Sequence, residues 1–266
     1  MHFLTILDGS VRTILRSFLF LGFIGWFKFW FGSSDTGPIN LGGVKLKVRA
    51  TSLRQKVVDL FVATYCLLDL EYIRAGFEIG DRDVVIDVGG HIGSFTILAA
   101  SRARHGQVYT FEPDGNNYAQ LKQNVELNQF SNVVITQMAV GAKSGTRIFY
   151  RDDNNDSSSS FTRETGAKKV VPIVSLAEVF KSKNIVNCDF LKLDCEGSEY
   201  EIIFDSPKEL FKKISRIAIE VHDAAYFNLN PVICNKKHLV EYLTDLGYTC
   251  QVIQETNLHD LIFAKR

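Results

Sequence analysis

Residues 84–96 read Val-Val-Ile-Asp-Val-Gly-Gly-His-Ile-Gly-Ser-Phe-Thr: an apolar run, an acid, three glycines and the start of a helical pattern. Glycine permits backbone torsions and close approaches that a side chain would block. A tight strand-to-helix turn of this kind brings a ligand against backbone at the carboxyl end of a sheet. A phosphate-binding loop of the Walker type needs Gly-Lys-Ser or Gly-Lys-Thr, and this stretch ends in Gly93-Ser94-Phe95. A dinucleotide fingerprint needs glycine where Val88 stands, and Asp87 would repel a pyrophosphate on the helix terminus. An acid at that place favours a cationic ligand.

The pattern around this loop alternates between strands and helices, the signature of a parallel sheet covered on both faces. Strands are predicted at Val84 to Val88, Gln107 to Phe111, Val133 to Met138, Phe190 to Leu193, Ile217 to Val221, Tyr248 to Ile253 and Leu261 to Lys265. Helices are predicted at Phe95 to Ala103, Asn116 to Leu127, Leu176 to Lys183, Glu199 to Phe204 and Lys237 to Leu246. The last two strands have no helix between them and read as a closing antiparallel pair. Upstream, Arg54 to Arg74 reads as a helix with Val57, Leu60, Phe61, Tyr65 and Leu68 near one face, covering the sheet edge. Arg151 to Gly166 (RDDNNDSSSSFTRETG) is too polar for core, and it reads either as a solvated loop or as a substrate lid.

Glu112 ends the second strand, 25 positions after Asp87. A carboxylate there can accept hydrogen bonds from two ribose hydroxyls, a role that dinucleotide folds also use. Asp87, Gly89, Gly93 and Glu112 together point to S-adenosylmethionine, whose methionine part carries an ammonium and a sulfonium. The resulting expectation is an α/β chain with a Rossmann-like, class I methyltransferase fold.

Composition narrows the partners. The 266 residues are 46% apolar, enough for a full core, and 30 basic residues balance 30 acidic ones. No global field pulls the chain toward nucleic acid, and no Asp-Pro-Pro-Tyr, Asn-Pro-Pro-Tyr or Pro-Cys element of base methylation is present. No nucleic-acid partner is expected. Five cysteines without a Cys-x-x-Cys pair read as reduced thiols, and acidic neighbours argue against a nucleophilic Cys195.

Residues 17–31 (SFLFLGFIGWFKFWF) hold both tryptophans and one charge, Lys28. As a helix this stretch is about 22 Å long, short of the roughly 30 Å hydrocarbon core. With Arg12, Arg16 and Lys28 flanking, residues 11–31 suit a membrane interface, with a tilted span or packing on the domain as alternatives. A signal peptide is disfavoured by Lys28 and by the lack of a small-residue cleavage site. Residues 1–43 therefore read as a hydrophobic amino-terminal segment with linker 32–43, and residues 44–266 as the main domain, cytoplasmic where the cofactor is supplied.

The chain resembles the FkbM family of methyltransferases over about residues 80–222. The likeness runs through DVGGHIGSFT, YTFEPDGNNYAQLKQNVELN, MAVGAKSG, DFLKLDCEGSEYEII and IAIEVHD, and the Lys-x-Asp-x-Glu-Gly-x-Glu core at 192–199 is its most specific part. The resemblance implies a seven-stranded, mostly parallel sheet and methyl transfer to a hydroxyl of a sugar, glycolipid, polyketide or similar product. Expected cofactor residues are Asp87, Gly89, Gly90, Gly93, Glu112 and Ala139. His91 stands where such proteins often carry Asn.

Methyl transfer to a neutral hydroxyl needs an aligned acceptor and a base. Lys192, Asp194 and Glu196 alternate along the end of the fourth strand, where ligands bind in such sheets. Asp194 is the first candidate base, with Lys192 tuning its charge; a charge-balanced strand end is the ordinary alternative. His222 is the second candidate, or a structural histidine. Asp194, Glu220 and His222 could together hold a divalent metal, but no compact ligand motif is present and no metal is expected. A nicotinamide-dependent oxidoreductase and a non-catalytic membrane-attached scaffold are the competing functions.

Overall fold

The computed structural model describes residues 14–19, 21, 26, 29–30, 37–151, 159–161, 166–254 and 259–266. Ile39–Leu41 (β1) and Val44–Leu46 (β2) form an antiparallel hairpin turned at Gly42 and Gly43, so the compositional linker ends inside a hairpin. Ser52 then caps the helix Leu53–Leu67 (α1), its side chain accepting from the Gln55 amide. The predicted helix was longer: the chain leaves it after Leu67, and Leu70 at φ +54° redirects the segment so that Tyr72 lies inside the protein. Of the expected face only Leu60 is fully buried, with Val57, Phe61 and Tyr65 half-buried. Gln55, Lys56, Asp59, Leu60, Ala63 and Thr64 turn inward, Leu68 stays exposed, and α1 packs on a neighbouring helix and β1 rather than on a sheet edge.

The chain continues through Val84–Val88 (β3), Ser94–Arg102 (α2), Gln107–Phe111 (β4), Gly115–Leu127 (α3) and Val133–Thr136 (β5). Ala139–Gly141 (β6), Gly145–Arg151 (β7), Ser159–Ser160 (β8) and Ala167–Ser175 (β9) follow. Leu176–Ser182 (α4), Cys188–Leu193 (β10), Glu199–Asp205 (α5), Lys208–Phe211 (α6) and Ile214–His222 (β11) come next. Lys236–Asp245 (α7), Thr249–Gln254 (β12) and His259–Lys265 (β13) close it.

All seven predicted strands join one sheet in the order β12-β13-β11-β10-β3-β4-β5, in which only β13 runs antiparallel to its neighbours. Alternation along each strand feeds two cores, one per face. Val85 and Phe190 join one with α2, while Ile86 and Leu191 join the other with α5 and α7. Burial of each such side chain contributes about 1.5–3 kcal/mol. The strand order reverses between β3 and β10, which opens a crevice at their carboxyl ends. That crevice holds the residues singled out from sequence.

A second sheet, β6-β9-β7-β8, was not anticipated. Its strands β6 and β8 have three and two residues, too few for alternation to show, and β9 contains Lys168, Lys169 and Pro172. Pro172 is accommodated because the pairing of β9 with β6 begins only at Ile173.

Most of residues 1–36 lies outside the described residues, as do 152–158 and 162–165 of the polar stretch. Where the amino-terminal segment is described it packs on the domain. Phe29 is 2% exposed, its carbonyl accepts from Lys56 Nζ at 2.8 Å, and Arg16 pairs with Asp69 at 2.7 Å. Among the described residues no helix is long and apolar enough to cross a membrane. All five cysteines are free, and burial with the acidic neighbours Glu199 and Asp194 pushes the Cys195 thiol well up.

Candidate active site

The glycine loop after β3 is built by backbone. Gly89 and Gly90 amides both donate to the Phe111 carbonyl at 3.0 Å, tying the loop to the end of β4. Gly89 adopts φ +82°, and a Cβ added there would meet the Asp194 carbonyl oxygen at 1.8 Å. Only glycine lets β3 and β10 approach this closely. Gly89→Ala is therefore expected to cost at least about 2 kcal/mol and to abolish ligand binding. Denaturant midpoint and cofactor titration check both, and a variant as stable as wild type would refute the tight approach.

Glu112 is 5% exposed and faces the cavity above the loop. Its Oε2 accepts from the His91 amide and its Oε1 from the Asp114 amide, both at 2.8 Å. Asn117 Nδ2 also approaches Oε1 at 3.4 Å, while Oε2 has one donor, so the carboxylate is held rigidly and would take a diol by displacing that long contact. Burial pushes its pKa up to about 7 against these two amides. Gly89 and Ala139 line the same cavity, with Val140, Phe111 and Asn117. These features suit an adenosine-bearing cofactor: a pinned diol acceptor beside a glycine cradle and apolar walls.

Asp87 is placed differently from the expectation that it meets a cationic ligand. It is fully buried behind the loop, where Oδ2 accepts from Thr96 Oγ1 at 2.7 Å and Oδ1 lies 3.3 Å from Lys192 Nζ. The cation opposite Asp87 is thus supplied by the protein itself. Burial raises the Asp87 pKa, and Lys192 opposes that rise. Gly90 and Gly93 shape the turn from below: a Cβ at Gly90 would strike Thr110 and Leu121, and Gly93 holds φ +91° at the amino-terminal cap of α2.

Lys192, 3% exposed, is the hub of the crevice. Its Nζ donates to the Gly89 carbonyl at 2.7 Å and lies 3.3 Å from both Asp87 Oδ1 and Asp194 Oδ2. Burial disfavours its charge, but Asp194 and Asp87 outweigh that and raise its pKa. Asp194 lines the cavity; burial raises its pKa, and Lys192 with His222 outweighs burial to bring it below the ordinary value.

Two residues at this end were not singled out as bases or donors. Tyr72 Oη lies 2.7 Å from Glu220 Oε2 and 3.2 Å from Asp194 Oδ2, and burial keeps its phenol protonated. Its only sequence signal was a tyrosine in a stretch read as helix. Glu220 lines the cavity beside Asp194.

His222 sits behind these acids. Its Nδ1 is 3.0 Å from Glu199 Oε1, and its Nε2 is 3.6 Å from Glu220, 3.7 Å from Glu196 and 3.9 Å from Asp194. Burial opposes a charge, but Glu199 and Glu196 outweigh it, so His222 is held as an imidazolium. A cation cannot take up another proton, so this environment makes His222 a counterion rather than a free base. Glu196 does not continue the extended alternation past β10; it adopts φ +54° and reaches His222 from the following turn, and burial pushes its pKa up to about 8. Asp194, Glu220 and His222 each offer a ligand atom within 4.8 Å of the others.

The far wall of the cavity is aromatic. Phe61 and Tyr65 of α1 stand with ring centroids 4.4 Å apart, and Phe149 and Phe161 with centroids 5.1 Å apart. Phe161 belongs to the polar stretch that read as loop or lid, and it contributes to the lining of the cavity.

Comparison with known proteins places the chain in a family. The model of the methyltransferase FkbM domain matches residues 87–250. The 31-O-demethyl-FK506 methyltransferase FkbM of Streptomyces tacrolimicus is 26% identical over 183 residues, which cover 57% of this chain and 70% of that protein. Methyltransferase 1 of Beauveria bassiana (strain ARSEF 2860) is 22% identical over 185 residues, covering 62% and 74%. Among solved structures, methyltransferase FkbM from Methylobacillus flagellatus KT matches at 14% identity and a TM-score of 0.49, over 78% of this chain and 54% of that one. The family match spans both the glycine loop with Glu112 and the Lys192 hub with its acids, and the chain belongs to the FkbM methyltransferase domain family.

Proposed function

We propose that this protein uses S-adenosylmethionine to methylate a hydroxyl oxygen of a sugar, glycolipid or related metabolite. The observation that carries this reading is the convergence of Glu112 and the Gly89 cradle with Asp194 on one cavity at the strand reversal. When bound, S-adenosylmethionine supplies an electrophilic methyl group on a sulfonium that leaves as a neutral thioether. Glu112 would hold the ribose, Gly89 the close approach, and Ala139 with Val140 the apolar wall. Asp194 accepts the acceptor's hydroxyl proton as the oxygen bonds carbon, with Lys192 and Tyr72 fixing its orientation. The aromatic wall fits the apolar body of such an acceptor.

Supporting oxygen as the target, the Streptomyces tacrolimicus relative is named for a 31-O-demethyl substrate. The even charge balance supports an acceptor other than nucleic acid. The described residues of segment 11–31 support packing on the domain, while exposed Leu15, Phe18 and Leu19 give it an apolar outer face for a membrane interface in a cytoplasmic protein.

Calorimetric titration with S-adenosylhomocysteine tests the reading. An ionised carboxylate accepts two ribose hydroxyls more strongly than a protonated one, and Glu112 ionises at about pH 7. Affinity should therefore rise with pH up to about 7 and level off above it. Glu112→Gln should weaken binding roughly 10- to 100-fold and flatten the profile, since two charge-assisted bonds at about 1.5–3 kcal/mol each become weaker neutral ones. Binding of a nicotinamide dinucleotide in its place, or affinity indifferent to Glu112→Gln, would overturn it.

A further inference from the structure

Arg49 follows β2 and lies outside the stretch matched to the family, yet it reaches the cofactor loop. Its guanidinium is 10% exposed and is clamped by fully buried Asp59 of α1, with Nε 3.0 Å from Oδ2 and Nη2 2.6 Å from Oδ1. Nη1 donates to Asn117 Oδ1, and Nη2 lies 2.9 Å from His91 Nε2. A guanidinium can only donate. His91 Nε2 must therefore accept, which leaves the ring neutral with its proton on Nδ1.

The neutral ring is reinforced by burial, which takes the His91 pKa down to about 4. His91 also stands at φ +48° in the loop, and its amide is one of the two that hold Glu112. Asn117, the other partner of Arg49, places Nδ2 3.4 Å from Glu112 Oε1. A second tie runs in parallel: fully buried Asn124 accepts from the Lys47 amide at 2.8 Å and donates to the Ile92 carbonyl of the loop at 2.8 Å. His91, Asn117 and Glu112 all line the cavity.

We propose that Arg49 is a positioning residue of the cofactor site, fixing His91 as an Nδ1–H donor and Asn117 beside Glu112, so that docking of the amino-terminal hairpin and α1 and cofactor binding stabilise each other. Reciprocity follows from linkage: an arm that improves cofactor affinity must itself be steadied by the cofactor to the same degree. The proposal rests on the reading of this loop as the S-adenosylmethionine site.

The test uses the full chain and S-adenosylhomocysteine. Arg49→Met should weaken binding roughly tenfold while leaving the acceptor KM unchanged, the scale expected for directly coupled groups. Because Arg49→Met alone strands the buried Asp59 charge, Arg49→Met combined with Asp59→Asn serves as the folded control, checked by circular dichroism. In a His91→Asn background the Arg49 effect should shrink at least threefold. S-adenosylhomocysteine should slow amide exchange across residues 45–60 in wild type and not in Arg49→Met. A folded double variant that binds like wild type, or exchange at 45–60 indifferent to ligand, overturns the positioning role alone. A wild-type protein that binds no S-adenosylhomocysteine overturns the donor reading and this proposal with it.

Discussion

Replacing Lys192 with methionine is expected to remove about 3–5 kcal/mol of folding stability at neutral pH, the scale measured when one partner of a buried ion pair is deleted. Two acids, Asp87 and Asp194, lie 3.3 Å from its Nζ, and the first is fully buried with no other cation in reach among the described residues. The Gly89 carbonyl would lose its donor at the same time. The pH dependence identifies the cause. Without Lys192, Asp87 would hold its proton to a higher pH than it does already, and an acid whose folded pKa is raised stabilises at low pH and loses that contribution as pH rises through the folded value. The penalty should therefore be smallest in acid and grow toward neutral pH. Urea melts of wild type and Lys192→Met between pH 4.5 and 8 measure this, and a constant or absent penalty would show that the lysine is replaceable packing.

Asp194→Asn should leave S-adenosylhomocysteine affinity within about twofold and lower turnover about 10²–10⁴-fold, the range for loss of a positioned base. The side chain keeps its volume and its contact with Tyr72, so a large loss would belong to the proton and not to packing. The pH profile separates Asp194 from Glu196. Asp194 is held below the ordinary carboxylate range by Lys192 and His222 against the effect of burial, so a rate governed by it is flat from pH 6 upward. A turnover that climbs through about pH 8 would follow Glu196 and move the base to that residue. Unchanged turnover in Asp194→Asn would remove Asp194 from the chemistry. The assay is run with methyl-labelled cofactor and saturating acceptor.

Much of the main sheet was legible because its determinants are local. Runs such as Val84–Val88 and Gln107–Phe111 are short and apolar, end in an acid or a glycine turn, and are each followed by a helical pattern. Both were bounded correctly to the residue. The placement of Glu112 was readable for the same reason, since a strand end carries its side chain to the sheet's carboxyl edge. The second sheet was not readable, because β6 and β8 have no pattern of their own and exist only by pairing with β7 and β9.

From the order of its residues alone, this chain specifies an α/β sheet, a glycine turn after β3 and acids at the ends of β4 and β10, because alternation, turn chemistry and spacing act over a few neighbours. Tertiary structure decided what those acids face. Asp87 and Asp194 are brought to one lysine by the adjacency of β3 and β10, which are more than 100 positions apart in sequence. Tyr72 and Arg49 enter the site from segments that carry no signal of their own. The pKa of His222 depends on four carboxylates gathered by folding. Burial and the charge of distant neighbours set whether an acid meets a ligand, a lysine or a proton, and neither quantity exists until the chain has closed on itself.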